Sequence, residues 1–281
     1  MRIERNVEYA HVGNRTLHLD LYFQDTAGAS RPLIVWVHGG GWSEGDKFPT
    51  PAARLIADGY AVASVEYRLS AEVKWPGQLY DCKAAIRWLR ANAQKYNLDA
   101  DHIGVWGNSA GGHLVSLLGT TGDVKELEGD EGNPDQSSRV QAVVDFYGPI
   151  DLLRMDATAS KPKSDAADLA EAVMLGGRLS QNLDKVKAAN PMTYISKDDP
   201  PFLAVHGTAD QVVPPQQSEF FVAALKAGGV EASLENVYGA QHSIRQVFTP
   251  VIEETVASFF DKHLRGVETI ISDQAIPMGA R

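Results

Sequence analysis

The sequence predicts an α/β fold in which a mostly parallel sheet carries helices on both faces. Strand-like and helix-like segments alternate along most of the 281 residues. The inner strand candidates, such as 33–37, are unbroken apolar runs, as expected for parallel strands that are buried on both faces. The first two candidates instead alternate apolar and polar residues around Gly13-Asn14, which predicts an antiparallel hairpin at the start of the sheet.

Each element is predicted from its apolar period and from the turn residues that bound it. The predicted strands are 7–12, 16–22, 33–37, 60–67, 102–106, 140–147, 200–207 and 232–238. The predicted helices are 51–58, 78–95, a helix that continues through 113–118, 216–226 and 244–263. Glycines close two of these helices, at Gly59 and at Gly228-Gly229, as helix ends commonly require.

The length and apolar content fit one large domain over 1–265, followed by a tail over 266–281. Residues 150–190 form a less regular helical insertion, which is the natural candidate for a lid. An acidic loop over 123–135 raises the question of calcium, but its spacing matches no EF-hand, so we predict a solvated surface loop. The tail has no strong period and is consistent with an arm, a partner contact or disorder.

Charge excludes several classes of partner. The formal net charge is −10, and no basic run is present, which argues against nucleic acid and anionic membranes as partners. The charged N-terminus is unlike a signal peptide, and no window is apolar enough to span a membrane. We therefore expect a soluble cytoplasmic protein, unless a leader has been removed. The single cysteine, Cys82, allows no internal disulfide and sits in a helical pattern as a small buried filler.

The segment 105–114 is the one around which the chain is organised. It contains Gly107-Asn108-Ser109-Ala110-Gly111 between an apolar strand candidate and an apolar helix candidate. Such a Gly-x-Ser-x-Gly pattern is typical of a nucleophile elbow, a strained turn that exposes the serine hydroxyl at the edge of a sheet. The alternative is a glycine-rich turn in which Ser109 only caps the helix, and the five residues alone do not decide between the two.

A second glycine-rich segment follows the strand candidate 33–37. It reads His38-Gly39-Gly40-Gly41-Trp42. Because consecutive glycines lose much conformational entropy on folding, their presence indicates positive φ angles or a close approach of the backbone to a ligand. A loop that donates backbone N–H groups to an oxyanion meets both needs, whereas a flexible turn is the alternative.

A serine nucleophile needs a base, and His242 is the best candidate. In α/β-hydrolases the chain order is serine, then acid, then histidine. His113 lies one turn after Ser109 on the same helix, His263 lies deep in the last helix, and His206 precedes the best acid candidate. His242 lies on a loop of small residues after the last predicted strand, from where an imidazole can reach over the sheet.

The acid candidate is Asp210, on the short loop that follows the strand candidate 200–207. This position suits a carboxylate that accepts a hydrogen bond from an imidazole Nδ1. The alternative is that Asp210 only stabilises the turn. Other aspartates are less suitable, because they lie inside a strand, at the start of the insertion or before the strand: Asp145, Asp151, Asp198 and Asp199.

Several motifs together resemble a known family. They are His38-Gly39-Gly40-Gly41-Trp42, Val65-Glu66-Tyr67-Arg68-Leu69, Trp75-Pro76, Asp81-Cys82-Lys83-Ala84-Ala85-Ile86-Arg87-Trp88-Leu89, Gly107-Asn108-Ser109-Ala110-Gly111-Gly112 and His206-Gly207-Thr208-Ala209-Asp210. The chain is similar over about 7–264 to α/β-hydrolase esterases of the hormone-sensitive-lipase-like group. Its closest likeness is to the compact, BD-FAE-like branch of carbohydrate deacetylases and feruloyl esterases.

The resemblance implies an α/β-hydrolase fold and a set of site residues. Ser109, Asp210 and His242 correspond to the family's catalytic triad. The backbone N–H groups of Gly40, Gly41 and Ala110 correspond to its oxyanion hole. No cofactor and no metal are implied.

Two departures from the larger relatives bear on the substrate. Asn108 stands where the lipase-like group usually has aspartate, so a contact made by that carboxylate is in doubt. The region before His38 is too short for a helical N-terminal cap. Both favour an open cleft that suits an ester on a sugar or on another bulky alcohol.

The function predicted from the sequence is serine-dependent hydrolysis of carboxylic esters through an acyl-enzyme. The substrate would be a small-molecule or carbohydrate-linked ester, acetylated or feruloylated, and Trp42 with residues of the 150–189 insertion would line the acyl pocket. Within the hydrolases, the same triad would also serve an amide, formamide or peptide substrate. A binding module that has lost catalysis is the alternative from another class. The pattern does not establish whether copies associate into a homo-oligomer.

Overall fold

A computed structural model describes residues 1–25, 28–122, 124–155 and 165–279. The predictions that concern Asp123, the middle of the insertion and the last two residues lie outside these ranges. Within them, nine strands form a single sheet. The strands are β1 (Arg2–Val12), β2 (Arg15–Phe23), β3 (Arg31–Val37), β4 (Ala61–Val65), β5 (Leu98–Asn108), β6 (Ala142–Phe146), β7 (Phe202–Gly207), β8 (Ala232–Tyr238) and β9 (Gln274–Pro277).

The strand order across the sheet is β1-β2-β4-β3-β5-β6-β7-β8-β9. The pairs β1–β2 and β2–β4 are antiparallel, and every other pair is parallel. This arrangement confirms the predicted mostly parallel sheet that begins with an antiparallel hairpin. Since parallel strands share one direction, the loops after β3, β5, β7 and β8 all leave the same edge of the sheet.

Helices connect the strands. The α-helices are α1 (Gly77–Ala91), α2 (Ala93–Tyr96), α3 (Ala110–Thr120), α4 (Ala170–Leu175), α5 (Leu183–Ala188), α6 (Gln216–Ala227), α7 (Ile244–Val247) and α8 (Pro250–Arg265). Shorter 3₁₀ helices are Pro51–Ile56, Lys125–Leu127, Leu152–Arg154, Leu179–Gln181 and Pro191–Tyr194. No helix within the described ranges is both long and apolar enough to cross a lipid bilayer.

The core lies on both faces of the sheet. Alternate side chains of β3 point to opposite sides: Val35 packs with one buried cluster and Trp36 with the other. The first cluster includes side chains of α1, α3 and α6, and the second includes side chains of α8 and of the 3₁₀ helix Pro51–Ile56. Both faces are therefore covered, as the continuous apolar strands predicted.

Two predicted helices are each divided. The prediction 78–95 breaks at Asn92, whose side-chain amide donates to the Trp88 carbonyl oxygen at 2.9 Å and competes with the helical hydrogen bonds. The prediction 244–263 breaks before Pro250, where Thr249 Oγ1 accepts from the Ile252 N–H and caps a new helix. Proline has no N–H to continue α7, so it begins α8 instead.

The tail supplies an edge strand. β9 pairs in parallel with β8, with Val237 opposite Ile276. Asp273 fixes this strand, because its Oδ1 accepts from the Leu234 N–H at 2.9 Å and its Oδ2 pairs with Lys226 at 2.7 Å. The tail is thus neither an arm nor disordered over its described part.

The acidic loop is solvated over part of its length, as predicted, since Glu126, Asp130 and Asp135 are exposed, but two of its carboxylates are paired with cations. Glu128 pairs with Lys83 at 2.5 Å and with Arg87 at 3.2 Å, and Glu131 pairs with Arg68 at 3.2 Å. The Lys83 and Arg87 side chains are buried on α1, so the loop supplies the opposite charges that burial of a cation requires. In the described part of the chain, no group of three or more metal-ligating side chains is arranged to hold a metal ion.

Candidate active site

Ser109 lies at the junction of β5 and α3, at the edge of the sheet. Its backbone has φ 53° and ψ −123°, a conformation that is rare for any residue except glycine. Its N–H donates to the Phe146 carbonyl oxygen at 2.8 Å, which ties the turn to β6. Its side chain makes no capping hydrogen bond to α3, so the alternative in which Ser109 only caps the helix is wrong.

Glycines allow this turn to pack tightly. A Cβ on Gly107 would overlap the carbonyl group of Gly111, and a Cβ on Gly111 would overlap the carbonyl oxygen of Val37. The start of α3 therefore passes against both β5 and β3 at distances that only glycine permits. The strain at Ser109 is maintained by this close packing.

Three side chains predicted from the sequence lie in one hydrogen-bonded row. His242 Nε2 is 2.9 Å from Ser109 Oγ, and His242 Nδ1 is 2.7 Å from Asp210 Oδ2. The three residues come from the loops after β5, β7 and β8. In this geometry Nδ1–H donates to the carboxylate, which leaves the Nε2 lone pair directed at the serine hydroxyl.

Backbone hydrogen bonds hold the two loops that carry Asp210 and His242. The Ala209 N–H donates to the Ala240 carbonyl oxygen at 2.9 Å, and the Gly239 N–H donates to Thr208 Oγ1 at 2.9 Å. Gly207 is needed at this contact, because a Cβ there would overlap the Ala240 carbonyl group. The loops are consequently fixed relative to one another.

Asp210 is buried but surrounded by donors. Its Oδ1 accepts from the N–H groups of Val212 at 2.8 Å and Val213 at 3.0 Å. Burial alone would raise the pKa of this carboxyl, but the hydrogen bonds from His206 and His242 outweigh it and hold the pKa well below its usual range. The carboxylate is therefore ionised wherever the protein is folded near neutral pH.

The other histidines considered in the sequence do not approach the serine in this way. His113 Nε2 donates to the Ala189 carbonyl oxygen at 2.7 Å, and burial lowers its pKa to about 4, so it is neutral. His263 is on α8, and its Nε2 lies 3.6 Å from Glu231 Oε1. His206 is fully buried on β7 and contacts Asp210, not Ser109.

The competing aspartates serve local turns. Asp151 accepts from the Leu153 N–H, and Asp199 accepts from the Ser196 N–H and hydroxyl. Asp145 lies inside β6 and accepts from the Gly148 N–H at 2.9 Å. Burial raises the pKa of Asp145 to about 6.

The loop after β3 is anchored at both ends. The Tyr67 hydroxyl donates to the His38 carbonyl oxygen at 3.0 Å, and the Ser70 N–H donates to the Trp42 carbonyl oxygen at 2.8 Å. Gly40 and Gly41 have φ of 107° and 57°, so both use the conformational freedom that the sequence indicated. Both glycines line the cavity in front of Ser109.

Asn108 and Tyr147 complete the walls of the site. Asn108 Oδ1 accepts from the Gly39 N–H at 3.1 Å, and Asn108 Nδ2 donates to the Tyr147 hydroxyl at 3.3 Å. The Asn108 amide thus ties the glycine loop to the end of β5 and to Tyr147. The Tyr147 ring lies edge-on to His242, with ring centroids 4.6 Å apart. Sequence analysis missed Tyr147, although its place at the carboxyl end of a buried strand was a usable signal.

Among the described residues, Ser109 lines a larger and a smaller cavity. The larger has a volume of about 640 Å³ and is open to solvent; its lining includes Gly40, Gly41, Asn108, Tyr147 and His242. The smaller, of about 170 Å³, lies beside Ala110 and Trp42. Trp42 is 2% exposed and meets the His113 ring edge-on at 5.3 Å between centroids, so it forms a fixed wall.

A family sequence model agrees with this architecture. The BD-FAE family matches residues 19–225, which is more than half of the chain. The match includes Ser109 and Asp210 and ends before His242.

Similar proteins are esterases by name. The probable carboxylic ester hydrolase LipM of Mycobacterium tuberculosis is 34% identical over 80% of this chain and 54% of the relative. A bifunctional GH43-CE protein of Bacteroides eggerthii has a TM-score of 0.86 and 39% identity, covering 93% of this chain and 35% of that one. A truncated carbohydrate esterase from gut microbiota has a TM-score of 0.85 and 33% identity, and the match covers 94% of this chain and 97% of that one. The chain spans about half the length of the curated relatives that it matches.

Proposed function

The chain belongs to the BD-FAE family, and on that premise we propose that it is a serine carboxylic-ester hydrolase that acts through a covalent acyl-enzyme on Ser109. The observation that carries the proposal is the row from Asp210 through His242 to Ser109, with hydrogen-bond distances of 2.7 and 2.9 Å. This is the arrangement that nucleophilic catalysis by serine requires.

In the first half of the reaction, Ser109 Oγ attacks the ester carbonyl carbon while His242 Nε2 takes the hydroxyl proton. The carbonyl π electrons move onto the oxygen, and the resulting oxyanion is received by the backbone N–H groups of Gly40, Gly41 and Ala110. When the tetrahedral intermediate collapses, the bond to the alcohol oxygen breaks. His242 gives its proton to that oxygen, and the alcohol leaves.

In the second half, water replaces the alcohol. His242 takes a proton from the water as its oxygen attacks the acyl carbon, and returns the proton to Ser109 Oγ as the acid is released. Asp210 holds the imidazole in the tautomer with hydrogen on Nδ1 and stabilises the imidazolium that forms twice in each cycle. Its ionised state, maintained by the donors around it, suits this role.

The shape of the site favours a bulky polar alcohol. The cavity that contains His242 is open and has Ser43, Glu44 and Asn108 among its lining residues. Hydroxyl and carboxylate groups of this kind can hydrogen-bond to a polyol. The similarity to a protein named a carbohydrate esterase supports the same choice, so we propose an acylated sugar or a small aromatic or aliphatic ester as the substrate.

The proposal is tested with Ser109→Ala. We expect hydrolysis of p-nitrophenyl acetate to fall at least about 10³-fold, with the thermal unfolding transition retained, because the nucleophile is lost and the fold is not. A matched control is Ser137→Ala, which changes an exposed serine outside the site. A serine-directed phosphonate should label the native protein and not Ser109→Ala. Retention of most activity in Ser109→Ala would show that the nucleophile lies elsewhere.

A further inference from the structure

Tyr147 has a strained backbone directly after β6, beside the active site. Its φ is 44°, in the left-handed region, which is an outlier for a bulky side chain. Two hydrogen bonds hold the segment in this conformation. The Tyr147 N–H donates to the Val205 carbonyl oxygen at 2.9 Å, and the Gly148 N–H donates to the buried Asp145 carboxyl at 2.9 Å. Because backbone strain of this kind concentrates at functional sites, it points to a role for the Tyr147 side chain.

The Tyr147 side chain lies between two other residues of the site. Its ring packs edge-on against His242, with ring centroids 4.6 Å apart, and its hydroxyl oxygen is 3.3 Å from Asn108 Nδ2. All three residues line the larger cavity in front of Ser109. Tyr147 as a whole is only 2% exposed, so its ring is packed on most sides. The hydroxyl is therefore held in a fixed place between Asn108 and His242.

The orientation of the Asn108 amide decides the direction of its hydrogen bond to Tyr147. The Gly39 N–H can only donate, so the Asn108 atom 3.1 Å from it must be the oxygen Oδ1. The amide nitrogen then faces Tyr147, and this nitrogen can only donate. The Tyr147 oxygen therefore accepts, and its own hydrogen is not used by Asn108. Among the described residues no other group accepts that hydrogen. Burial raises the pKa of the Tyr147 phenol above its usual value, so the hydrogen is retained at neutral pH.

The chemistry of the alcohol decides whether the substrate can use this hydrogen. In the proposed mechanism His242 Nε2 gives its proton to the alcohol oxygen, so the alcohol leaves next to the imidazole against which Tyr147 packs. An ester of a polyol carries a second oxygen on the carbon beside the ester-bearing carbon. An ester of a simple alkyl alcohol offers no such acceptor.

Building on the proposed function, we propose that the Tyr147 hydroxyl binds polyol esters by donating its hydrogen to the alcohol hydroxyl next to the ester bond. Asn108 is a positioning residue, because it holds the phenol oxygen as a donor and leaves the phenol hydrogen available. A site that hydrogen-bonds a substrate hydroxyl selects against the analogue that lacks it, since the polar group of the site is then left unpaired. Tyr147 thus favours esters of sugars and other polyols.

The test compares glycerol 1-monoacetate with propyl acetate, whose alcohols have the same carbon chain. Tyr147→Phe removes the hydroxyl and keeps the ring. We expect the ratio of kcat/KM for glycerol monoacetate to that for propyl acetate to fall about tenfold, as for the loss of one hydrogen bond. The value for propyl acetate itself should stay within about threefold of the native one. Tyr238→Phe removes the hydroxyl of an exposed tyrosine that does not line the larger cavity, and should leave the ratio unchanged.

Asn108→Asp tests the direction of the hydrogen bond independently. An ionised carboxylate has no hydrogen to donate, so it would accept from both the Gly39 N–H and the Tyr147 hydroxyl. The Tyr147 hydrogen is then taken, and the same ratio should fall by a similar factor although the hydroxyl is still present. Tyr147→Phe combined with Asn108→Asp should lower the ratio no further than either change alone. If Tyr147→Phe does not fold, Asn108→Asp carries the test.

The outcomes separate this inference from the proposed function. An unchanged ratio in Tyr147→Phe, or an equal loss of kcat/KM for both esters, overturns the binding role of the hydroxyl and leaves ester hydrolysis standing. A ratio that falls in Tyr147→Phe but not in Asn108→Asp overturns the assigned role of Asn108. Absence of hydrolysis of every ester by the native protein, p-nitrophenyl acetate included, overturns the proposed function and this inference with it.

Discussion

His206 Nε2 lies 3.4 Å from Oδ2 of Asp210, the same oxygen that accepts the hydrogen bond from His242. His206 is fully buried, and its Nε2 also lies 3.0 Å from the Val213 carbonyl oxygen, which can only accept. Nε2 must therefore carry the hydrogen, while Nδ1 accepts from the Ser218 hydroxyl at 2.7 Å. The His206 imidazole on β7 therefore holds the Asp210 carboxylate in place, and the carboxylate in turn holds the His242 imidazole. The charge and orientation of Asp210 are thus central to the site.

Asp210→Asn tests this role. We expect kcat for p-nitrophenyl acetate to fall about 10⁴-fold, because an amide lacks the charge that stabilises the imidazolium and favours the wrong tautomer of His242. The measurement is kcat and KM from steady-state rates. KM should change little, since Asp210 does not reach the substrate.

The matched control is Asp198→Asn, which alters an exposed aspartate that also precedes the histidine in the chain. Activity should remain within about twofold of the native value, as for most surface substitutions. A similar loss in both variants, or a small loss in Asp210→Asn, would remove Asp210 from the proposed mechanism.

The pH dependence of activity should show one ionisation on the acid side. kcat/KM should be lower on the acid side, because only neutral His242 can accept the proton of Ser109. Asp210 should add no second step between pH 5 and 9, because its pKa is held well below its usual range. The measurement is a pH–rate profile with p-nitrophenyl acetate. A flat profile, with chemistry rate-limiting, would contradict the assignment of His242 as the base.

Gly111→Ala tests the packing that supports the strained serine. We expect it to lower the free energy of unfolding by at least about 2 kcal/mol, because the added methyl group would overlap the Val37 carbonyl oxygen and rigid backbone cannot move aside cheaply. Urea unfolding measures this loss. Gly266→Ala is the comparison. The φ of 68° at this position would strain an alanine backbone as well, but the added Cβ would meet nothing within 4 Å. A loss in Gly111→Ala no larger than in Gly266→Ala would mean that the close approach is unimportant.

The sequence predicted the fold and the main residues of the site, but not every contact within the site. The α/β-hydrolase fold and the BD-FAE-like branch are confirmed, because the continuous apolar strands and the ordered motifs are local patterns that the fold preserves. The row of Ser109, His242 and Asp210 was inferred from order along the chain, since parallel strands bring their carboxyl ends to one edge. The contact from His206 was not predicted, because it depends on which face of β7 a side chain occupies.

The differences between the predicted and the observed fold have physical causes. The Thr249-Pro250 pair is a helix-start signal, but the apolar period continues across it. One helix was therefore predicted where the structure has two. The strand β9 has little intrinsic strand propensity, so its structure comes from pairing with the open edge of β8. The ion pairs of Glu128 were not predicted, because the buried cations that it neutralises lie about 40 residues away in the chain.

Pairing of β9 with β8 also encloses a carboxyl group. Glu235 lies on β8 opposite Gln274, is 0% exposed, and neither of its carboxylate oxygens has a hydrogen-bond partner among the described residues. Burial, together with the nearby charge of Asp273, raises the pKa of Glu235 to about 7. In the unfolded chain a glutamate has a pKa of about 4.3.

Glu235→Gln should therefore stabilise the protein in a pH-dependent way. Between pH 4.3 and 7 the folded state keeps a proton that the unfolded state releases, so native stability falls as pH rises through this window and levels off above it. Glutamine carries no such proton, so at pH 8 the variant should be more stable than the native protein by about 3 kcal/mol, with almost no difference at pH 4. Urea unfolding at both pH values measures this, and Glu254→Gln, at an exposed position on α8, should show no pH-dependent gain. A gain that is equal at pH 4 and pH 8 would mean that Glu235 is not held protonated beneath β9.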